Sequence, residues 1–324
     1  MNRWISFFLL AMCTVYTSCN TLTEPGVLVP PTADQDPLIP QITIQVAGHD
    51  RAVHVRTFGD PENPPLFMLH GSLADSRILL PLQELADAYF VVFWDQRGNG
   101  LSERITEDEI TFDSMVEEIN AMKARYAPHR KINLIGHSWG AMFAALYLAR
   151  HPDRVNQVVL AEPAGLTGEI TNTIKDQAMN LFTEKMIDMI WFNDMLSPRD
   201  HEVIDYKCLL VLQSAVRPYF CDLENLPPIS LWRAGGYVEI IRNRKTFVGG
   251  EFKYNLIEGI ENFPNKVLLL GTTCSMIGYD FQLEHHKPLF QQAEVVKIEN
   301  AGHRMFTEQY DAIVAAIRSY LEEY

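Results

Sequence analysis

Five residues constrain this chain more than any others. Gly136-His137-Ser138-Trp139-Gly140 stands between an apolar run that ends at Ile135 and a helix-forming stretch from Ala141 to Arg150. Lys131 to Ile135 reads as a buried strand, so Ser138 falls where a strand turns sharply into a helix. Such a turn strains the backbone at its centre, and small neighbours let strand and helix approach closely enough for the serine oxygen to project. The position reads as a nucleophile rather than as a capping serine.

Other turns supply what a serine nucleophile needs. Val295 to Ile298 reads as a short strand running into Glu299-Asn300-Ala301-Gly302-His303-Arg304, which places His303 in a loop before a final amphipathic helix. An imidazole titrates near neutrality, so His303 can take the serine proton and return it to a leaving group. Upstream, Pro65 to Leu69 is a strand ending in His70-Gly71-Ser72, and Phe90 to Trp94 is another ending in Asp95-Gln96-Arg97-Gly98-Asn99-Gly100-Leu101-Ser102.

An HG turn, a DQRGxGxS turn, a GHSWG elbow and a late AGH, in that order, resemble the α/β-hydrolase superfamily and, within it, the proline iminopeptidase group. The resemblance runs from about Gln41 to Tyr324. It departs at two places: that group usually reads HGGPG where this chain has His70-Gly71-Ser72-Leu73-Ala74, and has two glycines where this chain has Gly136-His137. The resemblance implies an α/β fold, with a mostly parallel central sheet flanked by helices and a helical cap inserted between strands six and seven. It also implies an oxyanion hole formed by the backbone N–H groups of Ser72 and Trp139.

The third triad member is open between two residues. The superfamily commonly carries its acid in a turn after strand seven, but Lys266 to Leu270 leads here into Gly271-Thr272-Thr273-Cys274-Ser275, which has no carboxylate. Asp280 follows a few residues later and also reads as the N-cap of a helix beginning near Phe281. Glu162 ends the apolar run Val158 to Ala161, the end of strand six, where some relatives, including a subset of haloalkane dehalogenases, carry the acid. Glu162 is favoured, because Asp280 has a capping role to explain it and Glu162 has none.

The first residues speak to location. Met1-Asn2-Arg3 is a short basic start, and Trp4 to Val15 is an apolar core too short to span a bilayer, so residues 1–18 read as a signal peptide. The small residues before Cys19 resemble the cleavage site of bacterial lipoproteins, which makes lipid attachment at Cys19 the expectation over simple cleavage, and Cys13 a weaker competing site. Residues 19–40, proline-rich and poor in apolar side chains, read as a flexible tether. The chain is thus expected to be an exported, membrane-anchored lipoprotein.

Composition narrows the remainder. A 324-residue chain with 47% hydrophobic residues can bury a large core, and its formal charge of -14 argues against nucleic acid or anionic headgroups as partners. The basic cluster Arg242-Asn243-Arg244-Lys245 reads as a solvated helix end. Should any of Cys208, Cys221 and Cys274 pair, Cys208 with Cys221 is the expected bridge, since both lie in the middle segment. No metal-ligand spacing or dinucleotide fingerprint occurs, so no cofactor or metal is expected.

Strand-like runs at Ile42 to Val46 and Val53 to Thr57 suggest an opening hairpin, followed by strand and helix in alternation through Leu160. The hydrolase core is expected over 41–164 and 265–324. The cap is expected over 165–264, where Met179, Phe182, Met186, Met189, Ile190 and Leu196 recur near helical spacing. Trp191, Phe192, Tyr219, Phe220, Trp232 and Tyr237 suit an apolar pocket, although most fit the cap's own core as well. Glu169, Glu202 and Glu239 are the acidic residues there that could hold a substrate amine, as cap acids do in the resembled peptidases.

The function expected is hydrolysis of a small ester or amide, or of a short peptide from its N-terminal residue, proline in particular. A carboxylesterase or lactonase fits the same triad. Halide and epoxide chemistry is disfavoured, because those relatives use Asp where this chain has Ser138. From another class, a lipid-anchored binding protein that has lost catalysis would also fit a missing acid.

Overall fold

Successive residues of the inner strands face opposite sides of one sheet, and both sides are buried. In β3 (Pro65–Leu69), Leu66 and Met68 join one hydrophobic cluster while Phe67 and Leu69 join the other. β4 (Phe90–Trp94) divides in the same way, with Val91 and Phe93 opposite Val92 and Trp94. Two buried faces explain why these strands read as unbroken apolar runs rather than as alternating ones.

The computed structural model describes residues 26–181, 201–214, 219–226 and 230–323. The apolar start, Cys19, Trp191 and Phe192 lie outside those residues. The hairpin β1 (Gln41–Val46) and β2 (His49–Phe58) opens an eight-stranded sheet of order β1-β2-β4-β3-β5-β6-β9-β10, with β5 (Ile132–His137), β6 (Val155–Ala161), β9 (Val267–Thr272) and β10 (Ala293–Ile298). β2 is antiparallel to β1 and β4, and the other pairs are parallel.

Helices α1 (Phe112–Tyr126) and α2 (Trp139–Arg150) cover one face. The final helix, Tyr310–Leu321, covers the other together with Leu82 and Leu85 of the segment after β3. The connections leaving β3 and β5 therefore pass to opposite faces. Where neighbouring parallel strands do this, a crevice opens beyond their carboxyl ends, and here it lies between His70-Gly71-Ser72 and Ser138.

The segment between β6 and β9 carries α3 (Gly168–Leu181), α4 (His201–Ser214), α5 (Gly236–Thr246) and a small hairpin of β7 (Phe247–Val248) and β8 (Glu251–Phe252). Its own core joins Ile204, Cys208 and Leu212 of α4 to Val238 and Ile241 of α5. Cys208 is a free, buried thiol within that core, and the bridge joins Cys221 to Cys274 instead. The expected Cys208–Cys221 pairing is thus corrected. Shared membership of one segment carried no information on distance, whereas Cys221 and Cys274 have Cα atoms 5.2 Å apart across 53 residues.

Residues 26–40, expected to belong to a flexible tether, are docked on the domain from Gly26 onward. Val29, Thr32 and Ala33 are buried, Glu202 of α4 accepts the N–H groups of Gly26 (2.9 Å) and Leu28 (2.8 Å), and the Arg233 Nε–H donates to the Pro30 carbonyl at 2.7 Å. Composition argued that this arm cannot fold alone. It has no need to, because the domain supplies partners for its backbone. No helix among the described residues is long and apolar enough to cross a membrane.

Candidate active site

Ser138 follows β5 directly and has φ 56° and ψ -121°, a conformation that side chains other than glycine rarely adopt. A Cβ on Gly140 would sit 2.6 Å from the His70 carbonyl oxygen and one on Gly136 would sit 2.6 Å from the Cα of Ala141, so both positions require glycine. The Ser138 N–H donates to the Ala161 carbonyl at 2.9 Å, tying the elbow to the end of β6. Trp139 opens α2, so its N–H belongs to the first turn, where no helix carbonyl is available to accept it.

The turn after β3 approaches the elbow from the other side. A Cβ on Gly71 would lie 3.0 Å from the Ser138 Cβ, which brings the Gly71–Ser72 peptide beside the serine. That peptide is held by His70. The Gln96 N–H donates to His70 Nε2 at 3.0 Å, so the ring carries its proton on Nδ1 and donates to the Gly71 carbonyl at 2.8 Å. In a trans peptide N–H and C=O point opposite ways, so fixing the Gly71 carbonyl toward His70 turns the Ser72 N–H away from it. Burial holds the His70 pKa below its ordinary value, which keeps this neutral tautomer.

The DQRGNGLS turn scaffolds this arrangement. Asp95 accepts the N–H groups of Ser76 and Leu101, each at 2.8 Å, and the Gln96 side chain donates to the His70 carbonyl at 2.7 Å. Arg97 is fully buried and pairs with Glu118 at 2.9 Å. Arg97 also lies 3.6 Å from Glu109, so its buried charge is shared between two carboxylates.

His303 meets a carboxylate. Its Nδ1–H donates to Glu162 Oε2 at 2.7 Å, leaving Nε2 as the basic nitrogen. Glu162 has no exposed surface, and its other oxygen, Oε1, accepts both the Thr272 N–H (2.9 Å) and the Thr272 hydroxyl (2.5 Å). The residue has φ 46°, a left-handed conformation that residues other than glycine seldom adopt. Asp280 stands apart from this group. It is exposed and lies inside the short helix Tyr279–Phe281, whose N-cap is Gly278 rather than Asp280. Sequence reasoning missed Thr272, since nothing local marks a threonine as a carboxylate's partner.

His137, inside the elbow, was also missed. Its Nε2–H donates to the His303 carbonyl at 2.9 Å, and the two rings lie 4.6 Å apart between centroids. Burial, and after it the neighbouring His303, holds the His137 pKa well below 6.5, so the ring stays neutral as it braces the loop. The His303 loop is thereby fixed to the residue preceding Ser138.

Helix α5 brings charge to the same place. Glu239 accepts from the Ser72 hydroxyl, from Arg242, and from the Asn243 amide at 2.8 Å, while Arg242 also donates to the Ser72 hydroxyl at 2.6 Å. The Arg242 guanidinium lies 4.4 Å from the centroid of the Trp139 ring. Arg242 is buried, which corrects the reading of its cluster as a solvated helix end: the helix turns this one arginine inward. Of the other two acids, Glu202 holds the N-terminal arm and Glu169 is exposed. Phe220 and Tyr237 are buried, and the guanidinium groups of Arg56 and Arg77 lie 4.6 Å and 4.1 Å from the centroid of the Trp232 ring.

Known proteins resemble this chain in sequence and in fold. The family model described as the alpha/beta hydrolase fold matches residues 64–196. Proline iminopeptidase PfmaB of Pestalotiopsis fici is 22% identical over 274 residues, covering 81% of this chain and 94% of that protein. A proline iminopeptidase of Heyndrickxia coagulans is 23% identical over 270 residues, covering 79% and 90%. Among solved structures, an esterase from Exiguobacterium antarcticum superposes with a TM-score of 0.64 at 18% identity, over 86% of this chain and 98% of that one.

Proposed function

Since the chain belongs to the α/β-hydrolase superfamily and has its fold, we propose that it is a serine hydrolase cleaving a small ester or amide through an acyl-enzyme on Ser138. The observation that carries the proposal is the 2.7 Å bond between His303 Nδ1 and a buried Glu162 whose remaining oxygen is already engaged. A carboxylate so placed fixes the imidazole tautomer and stabilises the imidazolium that forms when a proton arrives at Nε2.

In the proposed reaction, Ser138 Oγ attacks the carbonyl carbon as His303 Nε2 takes its proton. The developing oxyanion is received by the N–H groups of Trp139 and Ser72, each worth about 3–4 kcal/mol in such a role. His303 then protonates the leaving group. Water, activated by the same nitrogen, releases the acid. The substrate in this reading is a small molecule or a short peptide.

The narrower reading supported by the relatives is an N-terminal aminopeptidase releasing a short residue, proline in particular. It needs a free carboxylate for the substrate ammonium. Glu239 is already paired with Ser72, Arg242 and Asn243, and that favours a second reading, a carboxylesterase or lactonase. Labelling with a fluorophosphonate, then a panel of aminoacyl arylamides against short-chain esters, tests both. Absence of label on wild type, where Ser138→Ala serves as the blank, would leave the binding-protein alternative.

For location we propose, on residues 1–19 of the sequence alone, an exported lipoprotein attached at Cys19. Metabolic labelling with a radiolabelled fatty acid checks it. Label on wild type and none on Cys19→Ala is expected, and an unlabelled wild type overturns it.

A further inference from the structure

The loop that carries His303 is held from outside the hydrolase core. The Arg304 N–H donates to the Tyr219 carbonyl at 3.0 Å, and a Cβ on Gly302 would lie 2.6 Å from that same carbonyl oxygen, so the backbones of the two segments touch. Glu308 joins them again, Oε2 accepting the Gly302 N–H at 2.8 Å and Oε1 accepting the N–H groups of Cys221 (2.7 Å) and Asp222 (3.1 Å). Cys221 is then bonded to Cys274, whose N–H donates to the Ala301 carbonyl at 3.0 Å.

The turn that bears Cys274 is the one that commonly bears the acid in this superfamily. Here Thr272 grips Glu162, the Thr273 hydroxyl accepts the Asn300 N–H at 3.0 Å, and Cys274 holds the inserted segment. Acid, base loop and inserted segment thus converge on three consecutive residues. Gly302 and Arg304, on either side of His303, both donate their N–H groups into this junction.

We propose that Glu308 and the Cys221–Cys274 disulfide are positioning elements for His303, so that turnover depends on the oxidation state of that pair. The proposal rests on the reading of His303 as the base. Opening the bridge with a dithiol moves two electrons and two protons to Cys221 and Cys274, leaving two thiols and a cyclic disulfide of the reductant. Cys274 is exposed and Cys208 is buried, which directs the exchange to the bridge. Segment 219–222 then loses its covalent tie to the turn, and the base loop loses a fixed partner. A base displaced by a fraction of an ångström has a slower proton transfer with substrate binding largely retained.

The test compares oxidised protein, its bridge verified by mass under non-reducing conditions, with dithiothreitol-treated protein, and adds Glu308→Gln, which leaves the bridge in place. Measured are kcat and KM on the best panel substrate, the pH profile of kcat/KM, the rate of fluorophosphonate labelling, and Tm. Reduction and Glu308→Gln should each lower kcat roughly ten- to hundred-fold with KM changed less than about threefold, and should move the acidic limb of the profile. A Tm still well above the assay temperature separates positioning from unfolding, and a purely structural role would leave the acidic limb in place. Free thiols at 221 and 274 in the oxidised protein, or unchanged kcat and profile in both perturbed forms, would overturn the proposal while labelling of Ser138 persists. Loss of labelling in the unperturbed wild type would instead overturn the reading beneath it.

Discussion

Replacing Glu162 with glutamine changes one atom, and the structure dictates which way the amide must face. Oε1 accepts two donors from Thr272, at 2.9 and 2.5 Å, while Oε2 accepts one from His303 at 2.7 Å. Facing its oxygen to Thr272 keeps the backbone N–H of that residue satisfied and turns the NH2 toward His303. Facing it the other way leaves the buried Thr272 N–H against a donor, at about 1–3 kcal/mol. The first orientation wins. An NH2 group aimed at Nδ1 demands an acceptor there, so the imidazole proton moves to Nε2, the atom that accepts from Ser138 in the proposed reaction. Holding the wrong tautomer should lower kcat about 10³- to 10⁴-fold, equivalent to about 4–5.5 kcal/mol in the barrier. Turnover of the best ester or arylamide, with Tm measured on the same preparation, checks it. The control is Asp280→Asn, which should keep the wild-type rate, because Asp280 is exposed. A Glu162→Gln protein that turns over within tenfold of wild type while melting normally would refute the reasoning and remove the acid from Glu162.

Ser138→Ala should abolish turnover with Tm preserved, and adding His303→Ala should cost nothing more, because two residues acting on one proton are not additive; a further loss in the double mutant would break the pairing. Gly140→Ala drives a methyl group against the carbonyls of Leu69 and His70, and should lower Tm by roughly 5 °C or more, as read by thermal melting; an unchanged Tm would contradict the close approach of strand and helix. Asp75 is pushed up to about 8, chiefly by burial and then by Asp95 beside it, so the stability that depends on its protonated form is complete below about pH 4 and is lost as pH rises through about 8. Asp75→Asn should escape that decline, and the Tm difference between mutant and wild type should grow in the mutant's favour from pH 4 to pH 8; a constant difference would refute it.

What could be read beforehand follows from how local each signal is. The inner strands were legible because two buried faces leave an unbroken apolar run, and the elbow because its glycines stand beside the serine they serve. Glu162 and His303 were candidates through their strand-end positions, although 141 residues separate them. Nothing local marks Thr272, Glu308 or the Cys221–Cys274 pair, whose partners come from distant segments. Arg242 misled for a related reason: a basic run at a helix end describes the helix surface, and tertiary packing alone decides which arginine points inward.

The docked N-terminal arm turns a question of attachment into one of orientation. Between Cys19 and Gly26 lie only seven residue steps, which even fully stretched reach about 25 Å. A chain of this length folds into a body about 50 Å across by ordinary size scaling. A leash shorter than the body it holds cannot let that body tumble freely. If the lipid is at Cys19, the side bearing Glu202 and the arm must stay turned toward the bilayer.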